Sequence, residues 1–302
     1  MTSSLEYEAA TVFPMLAAGI AVVFTDYIGL GTPDRVHSYV NRVDEGHAVL
    51  DAARAAQQLA IIGVPGVDVP NDGPVGIYGY SQGGGASAAA VELQPSYASE
   101  LKLKGAAVGA PPADLAALAA GPADGSILTG AIAYAINGIV ATNPELAGPV
   151  DGLLNQRGRD VLTATKGQCA AETALRYGFQ HSSDYTKNGQ PGSTFLGQDP
   201  FKAVVEAQRI GTLTPTAPVY IWQGRNDDLV PFGQSLQLAK DWCGKGATVQ
   251  FKEYDFPVVF PGYAMGHGLP AVLGLPEAQG WLYQRFAGAT PAPSNCGSLP
   301  TA

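Results

Sequence analysis

The residues with the clearest chemical potential lie in the pentapeptide Gly79-Tyr80-Ser81-Gln82-Gly83. An apolar run, residues 75–78, precedes it, and a run of small residues, 84–91, follows it. A serine placed in this way between a predicted strand and a predicted helix is typical of a nucleophile elbow. Because that turn is sharp, we expect Gly79 and Gly83 to be required as nearly side-chain-free positions. The alternative is a glycine-rich turn that only closes a strand.

A nucleophilic serine needs a base that removes its proton. The histidines of the chain are His37, His47, His181 and His267. Only His267 is flanked by glycines on both sides, after a β-like run of residues 248–254 and before a predicted C-terminal helix. We therefore expect His267 in a loop that reaches the serine.

The predicted acid is Asp227, which follows the predicted strand 217–222, and Asp228 is the competing candidate. The chain order Ser81, Asp227, His267 is that of α/β-hydrolases, and it differs from the two common serine-protease orders. In this chemistry His267 takes the proton of Ser81 and returns it to the leaving alcohol, while Asp227 holds the imidazole tautomer. The backbone N–H of Gln82, directly after the nucleophile, is an expected oxyanion donor.

Composition limits the classes of partner. The chain has 302 residues, a net charge of −9 and 14% charged residues, and we expect no nucleic-acid partner because phosphates would be repelled. The spacing of histidines and cysteines indicates no metal site, and no motif indicates a cofactor. Residues 126–142 form the least charged window, which is too short for a confident membrane span, so we interpret it as a buried or lipid-facing helix. The N-terminus shows no signal-peptide pattern.

The order of elements predicts an α/β fold, with a mostly parallel sheet and helices on both faces. Predicted strands are residues 21–25, 75–78, 103–108, 217–222 and 248–254, and predicted helices are residues 5–18, 41–62 and 276–286. Between the elbow half and the acid strand lies a helical stretch without a convincing strand. We therefore divide the chain into a hydrolase core, residues 1–110 and 217–302, and an inserted helical cap, residues 111–216. The cap residues expected to line an acyl-binding tunnel are Ile127, Leu128, Ile132, Ile136 and Ile139.

Several short segments together resemble the secretory lipase family, typified by Candida antarctica lipase A and its actinobacterial relatives. They are Gly-Tyr-Ser-Gln-Gly-Gly at the elbow, Asp-Asp-Leu-Val-Pro at the acid turn, and the stretches 154–158, 166–169, 243–247 and 295–297. The resemblance covers essentially the whole chain. It implies an α/β-hydrolase core with a helical cap, secretion, a triacylglycerol or related lipid ester as substrate, and room for transient contact with a lipid–water interface. It also implies that Ser81, Asp227 and His267 are the triad and that Cys243 and Cys296 form a disulfide.

The chain departs from the family pattern at its start, because family members carry a signal peptide, further strands and a second oxyanion donor upstream. By the same resemblance, Cys169 lacks the N-terminal cysteine that would bridge it. We therefore expect a truncated chain, or a start codon placed too late, and weak activity. The alternative is a naturally shorter variant in which Cys169 is an ordinary buried thiol.

Rival functions share the same residues. A short-chain carboxylesterase or an acyltransferase would use the same triad, and a non-catalytic lipid-binding protein would use the same fold. A peptidase is a more distant alternative, since no domain that gates peptides is recognisable.

Overall fold

The computed structural model describes residues 9–31, 34–62, 69–288 and 291–301. The strands are β1 (Pro74–Tyr80), β2 (Lys102–Gly109), β3 (Val219–Gly224) and β4 (Val249–Tyr254). The helices outside residues 111–216 are α1 (Ala9–Ala17), α2 (Arg42–Ile61), α3 (Gln82–Tyr97), α11 (Phe232–Gly244), α12 (Met265–Leu273) and α13 (Leu275–Ala287). Within residues 111–216 the helices are α4 (Leu115–Ala119), α5 (Ala131–Thr142), α6 (Ala147–Leu153), α7 (Gln156–Thr165), α8 (Ala170–Tyr177), α9 (Ser193–Leu196) and α10 (Lys202–Ala207).

The four strands form one parallel sheet in the order β1-β2-β3-β4. Parallel strands need crossover connections, and α3 between β1 and β2 and α11 between β3 and β4 pack against the sheet. Every residue of β3 is buried, as expected for an inner strand that is covered on both faces. All strands therefore end at the same edge of the sheet.

Alternation along the strands divides the core into two layers. Val219 and Ile221 point to the face covered by α2, α3 and α11, where Leu50 and Trp242 are fully buried. Tyr220 and Trp222 point to the opposite face, where they meet α1 and α13. The chain is thus an α/β protein with helices on both faces of the sheet, as predicted.

Residues 111–216, all of which the structure describes, contain helices and a single isolated antiparallel bridge, Leu154 with Thr186, but no strand. The apolar window 126–142 folds mainly as α5, whose residues are mostly half-buried. In the described parts of the chain, no helix has the length and apolarity needed to cross a bilayer.

One predicted strand is wrong. Residues 21–25 have no regular secondary structure, and within the described residues no neighbouring backbone pairs with them. Val22 packs beside the core on the α1 and α13 face, whereas Val23 and Phe24 are exposed. An apolar run predicts burial, but a strand also requires a neighbour that accepts and donates backbone hydrogen bonds. The first four residues of the predicted helix 5–18 lie outside the described residues.

Candidate active site

Ser81 occupies a strained turn between β1 and α3. Its backbone has φ 57° and ψ −121°, a conformation that costs a non-glycine residue about 1–3 kcal/mol. Its N–H donates to the carbonyl of Gly109 at 2.9 Å, which ties the turn to the end of β2. The predicted strand, turn and helix are therefore present, and Gln82 is the first residue of the helix.

The glycines of the elbow differ in what they make room for. A Cβ on Gly79 would collide with the backbone of Gly83, and a Cβ on Gly84 would collide with the carbonyl of Gly109. A Cβ on Gly83 would meet open space. The expectation that Gly83 must lack a side chain was therefore wrong, because the close approaches in this turn are made at Gly79 and Gly84.

Asp227 is 7% exposed, and its carboxylate is surrounded by donors. Oδ1 accepts the N–H groups of Leu229 and Val230, both at 2.9 Å. Oδ2 accepts from Gln223 Nε2 at 2.6 Å and faces His267 Nδ1 at 2.7 Å. A buried carboxylate with donors on both oxygens is held in one orientation, as a group that orients an imidazole requires.

Gln223 is fully buried at the end of β3 and fixes the acid turn. Its Nε2 donates to Asp227 and also to the carbonyl of Val230, and its Oε1 accepts from Ser235 Oγ at 2.6 Å. Sequence reasoning missed this residue. The available signal was an amide side chain that continues the buried run Val219–Trp222 directly before the acid turn.

His267 lies in the first turn of α12 and is 7% exposed, so its predicted placement in a loop was wrong. The helix begins after Ala264, which adopts a left-handed conformation with φ 61°. A Cβ on Gly266 would collide with the carbonyl of Asn226, so the glycine before the histidine lets this segment approach the acid turn. The flanking glycine was therefore informative for a different reason, namely close backbone packing.

Asp228 also holds the histidine segment, through backbone contacts. Its Oδ1 accepts His267 N–H at 3.2 Å, and its Oδ2 accepts Gly262 N–H at 3.1 Å. The imidazole itself contacts Asp227. Of the two acid candidates, the structure thus brings only Asp227 into contact with the ring of His267.

Tyr80 connects the elbow with the histidine. Its hydroxyl donates to the carbonyl of His267 at 2.6 Å, and the centroids of the two rings are 5.0 Å apart. Because Tyr80 directly precedes Ser81, these contacts place the histidine beside the elbow. Ser81, Asp227 and His267 follow β1, β3 and β4, and all three therefore lie at the carboxyl edge of the sheet, where open parallel sheets bind their ligands.

Cys243, at the end of α11, forms a disulfide with Cys296, and Cys169 is free and exposed, so it is not the buried thiol considered as an alternative.

An apolar cavity of about 100 Å³ lies within residues 129–205. Ile132, Ile136 and Ile139 line it, but Ile127 and Leu128, which precede α5, do not. In the described ranges no group of three or more His, Cys, Asp or Glu side chains could hold a metal ion.

The fold is that of an α/β-hydrolase, and solved structures share it. Candida antarctica lipase A in its closed state aligns with a TM-score of 0.71 and 23% identity over 88% of this chain and 61% of its own. A rice cell wall degrading esterase from Xanthomonas oryzae aligns with a TM-score of 0.71 and 20% identity over 84% of this chain and 69% of its own.

The chain belongs to the secretory lipase family, whose sequence profile matches residues 1–294. A secreted triacylglycerol lipase of Malassezia furfur is 29% identical over 290 residues, which cover 94% of this chain and 70% of that relative. Lipase 5 of Candida albicans is 30% identical over 282 residues, 91% of this chain and 57% of that relative. The chain thus spans between about half and 70% of the length of the curated relatives it matches.

Proposed function

We propose that this chain is a lipase that hydrolyses carboxylic esters of lipids, triacylglycerols among them, through an acyl-enzyme on Ser81. The observation that carries the proposal is the 2.7 Å contact between Asp227 Oδ2 and His267 Nδ1, at the sheet edge that also presents Ser81 in a strained elbow. With Nδ1 engaged by Asp227, Nε2 is the ring nitrogen left to exchange a proton with the serine.

In the proposed reaction, Ser81 Oγ attacks the acyl carbon as its proton moves to His267. The negative charge then forms on the acyl oxygen, where the N–H of Gln82 donates to it, since the first N–H groups of a helix have no acceptor within the helix. His267 returns the proton to the departing alcohol, which leaves the acyl group on Ser81. A water molecule, deprotonated by His267, releases the fatty acid and restores the serine.

We further propose that residues 111–216 form a cap over this edge of the core, residues 1–110 and 217–302. Support comes from contacts of the helical segment with the histidine segment: Ile127 N–H donates to the carbonyl of Gly262 at 2.7 Å, and the rings of Phe179 and Tyr263 lie 4.7 Å apart. The apolar cavity beneath α5 is the proposed acyl site, because its lining matches the chemistry of a hydrocarbon chain.

Secretion is part of the same proposal. The Malassezia furfur relative is described as secreted, and a structural disulfide such as Cys243–Cys296 persists in oxidising compartments. The proposed partner is therefore an extracellular lipid ester.

The test is labelling with a fluorophosphonate, which reacts with an activated serine. Wild type is expected to be labelled, and Ser81→Ala is expected to lose labelling and about 10⁵–10⁶-fold in kcat. Ser96→Ala is the matched control, because Ser96 is exposed on the same helix α3 and should keep both. A folded Ser81→Ala variant that is still labelled and active would refute the assignment. Activity on acetate but not on long-chain esters would identify a short-chain esterase instead.

A further inference from the structure

The side chain of Gln82 is held on two sides. Its Nε2 donates one hydrogen to Glu45 Oε1 at 2.8 Å and the other to His37 Nε2 at 3.0 Å. The proposed reaction uses the backbone N–H of Gln82 and assigns no task to its side chain. It joins the residue after the nucleophile to α2 and to the loop before α2.

Both partners of Gln82 are themselves fixed. Glu45 is 2% exposed, and its Oε1 also accepts Val40 N–H at 2.9 Å. Val40 is a β-branched residue with a positive φ of 54°, which needs surrounding contacts to persist. His37 donates through Nδ1 to the carbonyl of Ile28 at 3.0 Å, which leaves Nε2 of the neutral ring as the acceptor for Gln82.

The helix that carries Glu45 is packed closely enough to act as a rigid support. A Cβ on Gly46 would lie 2.8 Å from Leu93 and 3.1 Å from the backbone of Ala89, so α2 crosses α3 in close contact. Asn41 caps α2 by accepting the N–H groups of Val43 and Asp44, both at 3.1 Å. Glu45 is thus a buried polar group on a capped and closely packed helix, and its carboxyl contacts the first residue of α3.

We propose that Glu45 is a positioning residue for the elbow, which acts through the side chain of Gln82 to fix the backbone N–H where the oxyanion forms. This inference rests on the proposed function, because it assigns a task in that reaction. The peptide between Ser81 and Gln82 adjoins a strained residue and would relax if the side chain of Gln82 were released. Relaxation would turn the N–H away from the oxyanion and raise the barrier to acyl transfer without affecting ester binding.

The charge state of the cluster fits this task. Burial, the dominant cause, raises the pKa of Glu45 to about 8, against the opposing effect of its bonds to Gln82 and Val40. Burial also lowers the pKa of His37. At neutral pH the protonated form of Glu45 therefore predominates, and little negative charge lies beside the side chain of Gln82.

The experiment compares kcat and KM for a soluble ester, p-nitrophenyl butyrate, in wild type, Glu45→Ala, Glu45→Gln and Gln82→Ala. Glu45→Ala and Gln82→Ala are each expected to lower kcat by about 10–100-fold, with KM within about twofold of wild type. This loss of kcat does not exceed the effect of removing a whole oxyanion donor. Glu45→Gln keeps an acceptor oxygen for Gln82 and Val40, and it should retain kcat within about threefold. The double variant Glu45→Ala/Gln82→Ala should lose no more than either single variant, because both remove one interaction.

Glu92→Gln is the matched control for a buried glutamate between the same two helices. Glu92 is 2% exposed on α3 and pairs with Arg42 of α2 at 2.8 Å, away from the elbow. This variant should lower the urea midpoint and leave kcat unchanged. If Glu45→Ala does not fold, Gln82→Ala and Glu45→Gln still give the required comparison.

Three outcomes would overturn the inference: a folded Glu45→Ala or Gln82→Ala variant with wild-type kcat, additive losses in the double variant, or equal losses in Glu45→Gln and Glu45→Ala. If the wild-type protein showed neither turnover nor fluorophosphonate labelling, both the proposed function and the role of Glu45 would be refuted. Active wild type with an unaffected Glu45→Ala variant would remove only the role of Glu45.

Discussion

At the scale of single residues, two adjacent aspartates differ in what their oxygen atoms accept. Asp227 accepts a hydrogen bond from His267 Nδ1, whereas Asp228 accepts hydrogen bonds from backbone N–H groups of the histidine segment. Asp227→Asn is expected to lower kcat by about 10⁴-fold, because the amide favours the wrong imidazole tautomer. Asp228→Asn keeps one acceptor oxygen but sets an NH2 group against the second backbone N–H, and it should cost about tenfold at most, through a less firmly held segment.

Ester hydrolysis by both variants, with urea unfolding as the check on folding, measures this difference. Equal losses in the two variants would contradict the assignment of Asp227 as the acid. A larger loss in Asp228→Asn would exchange the two roles.

The raised pKa of Glu45 predicts how the stability of the protein depends on pH. Its folded pKa, about 8, lies above the ordinary value of 4.5, and the nearby titratable groups are Asp44, Tyr27, Tyr39 and His37. A raised pKa means that the folded state keeps a proton that the unfolded chain loses. This contribution to stability is complete below pH 4.5 and is lost as the pH rises through 8, with a slope of at most about 1.4 kcal/mol per pH unit.

The comparison of wild type with Glu45→Gln isolates this effect, because glutamine does not titrate. Between pH 6.5 and 8.5 the urea midpoint of wild type should fall relative to that of Glu45→Gln, and His37 is common to both proteins. A constant difference between the two proteins across this window would show that Glu45 does not gain its proton on folding.

At the scale of elements, α5 presents Ile132, Ile136 and Ile139 to the apolar cavity. Ile136→Trp would fill part of the proposed acyl site and should lower kcat/KM for long-chain p-nitrophenyl esters more than for the acetate. Losing room for a few methylenes amounts to about 0.8 kcal/mol for each one left unburied, or roughly fourfold per methylene.

The control is Leu175→Trp on α8, whose side chain is 90% exposed and should leave the chain-length profile unchanged. If Ile136→Trp affected the acetate and a long-chain ester equally, or neither, the cavity would not be the acyl site.

At the scale of the whole molecule, the Cys243–Cys296 disulfide closes a loop with a sequence separation of 53 that contains β4, α12 and His267. Because the bridge restricts the unfolded chain, the loss of chain entropy predicts that it adds about 4 kcal/mol to the free energy of unfolding. The Cys243→Ser/Cys296→Ser variant should therefore unfold at lower urea concentration. Cys169→Ser is the control, because its thiol is free and exposed. A double variant as stable as Cys169→Ser would contradict the estimate.

Sequence reasoning succeeded where the signal is local. The elbow, α2, β2, β3, β4 and α13 were predicted close to their observed bounds, because each has its own hydrophobic periodicity or turn residues. It failed for residues 21–25, because strand formation depends on a partner that the segment itself does not encode. It also missed the helical start at His267, since α12 begins after the left-handed Ala264 and Gly266 packs against the backbone of the acid turn.

The sequence by itself determined the chemistry that the chain carries, its α/β order and its family, because residue types and the order of elements along the chain can be read without the tertiary structure. Only the tertiary structure decided which aspartate meets the imidazole, since Asp227 and Asp228 have the same chemistry and adjacent positions. The tertiary structure alone also decided which groups Gln223 and Glu45 contact. Glu45 lies four residues before Val49, which packs against the core, and this helical spacing indicates burial of Glu45 but not its partner. That partner, Gln82, is distant in the chain, and only the packing of α2 against α3 brings the two side chains within hydrogen-bonding distance.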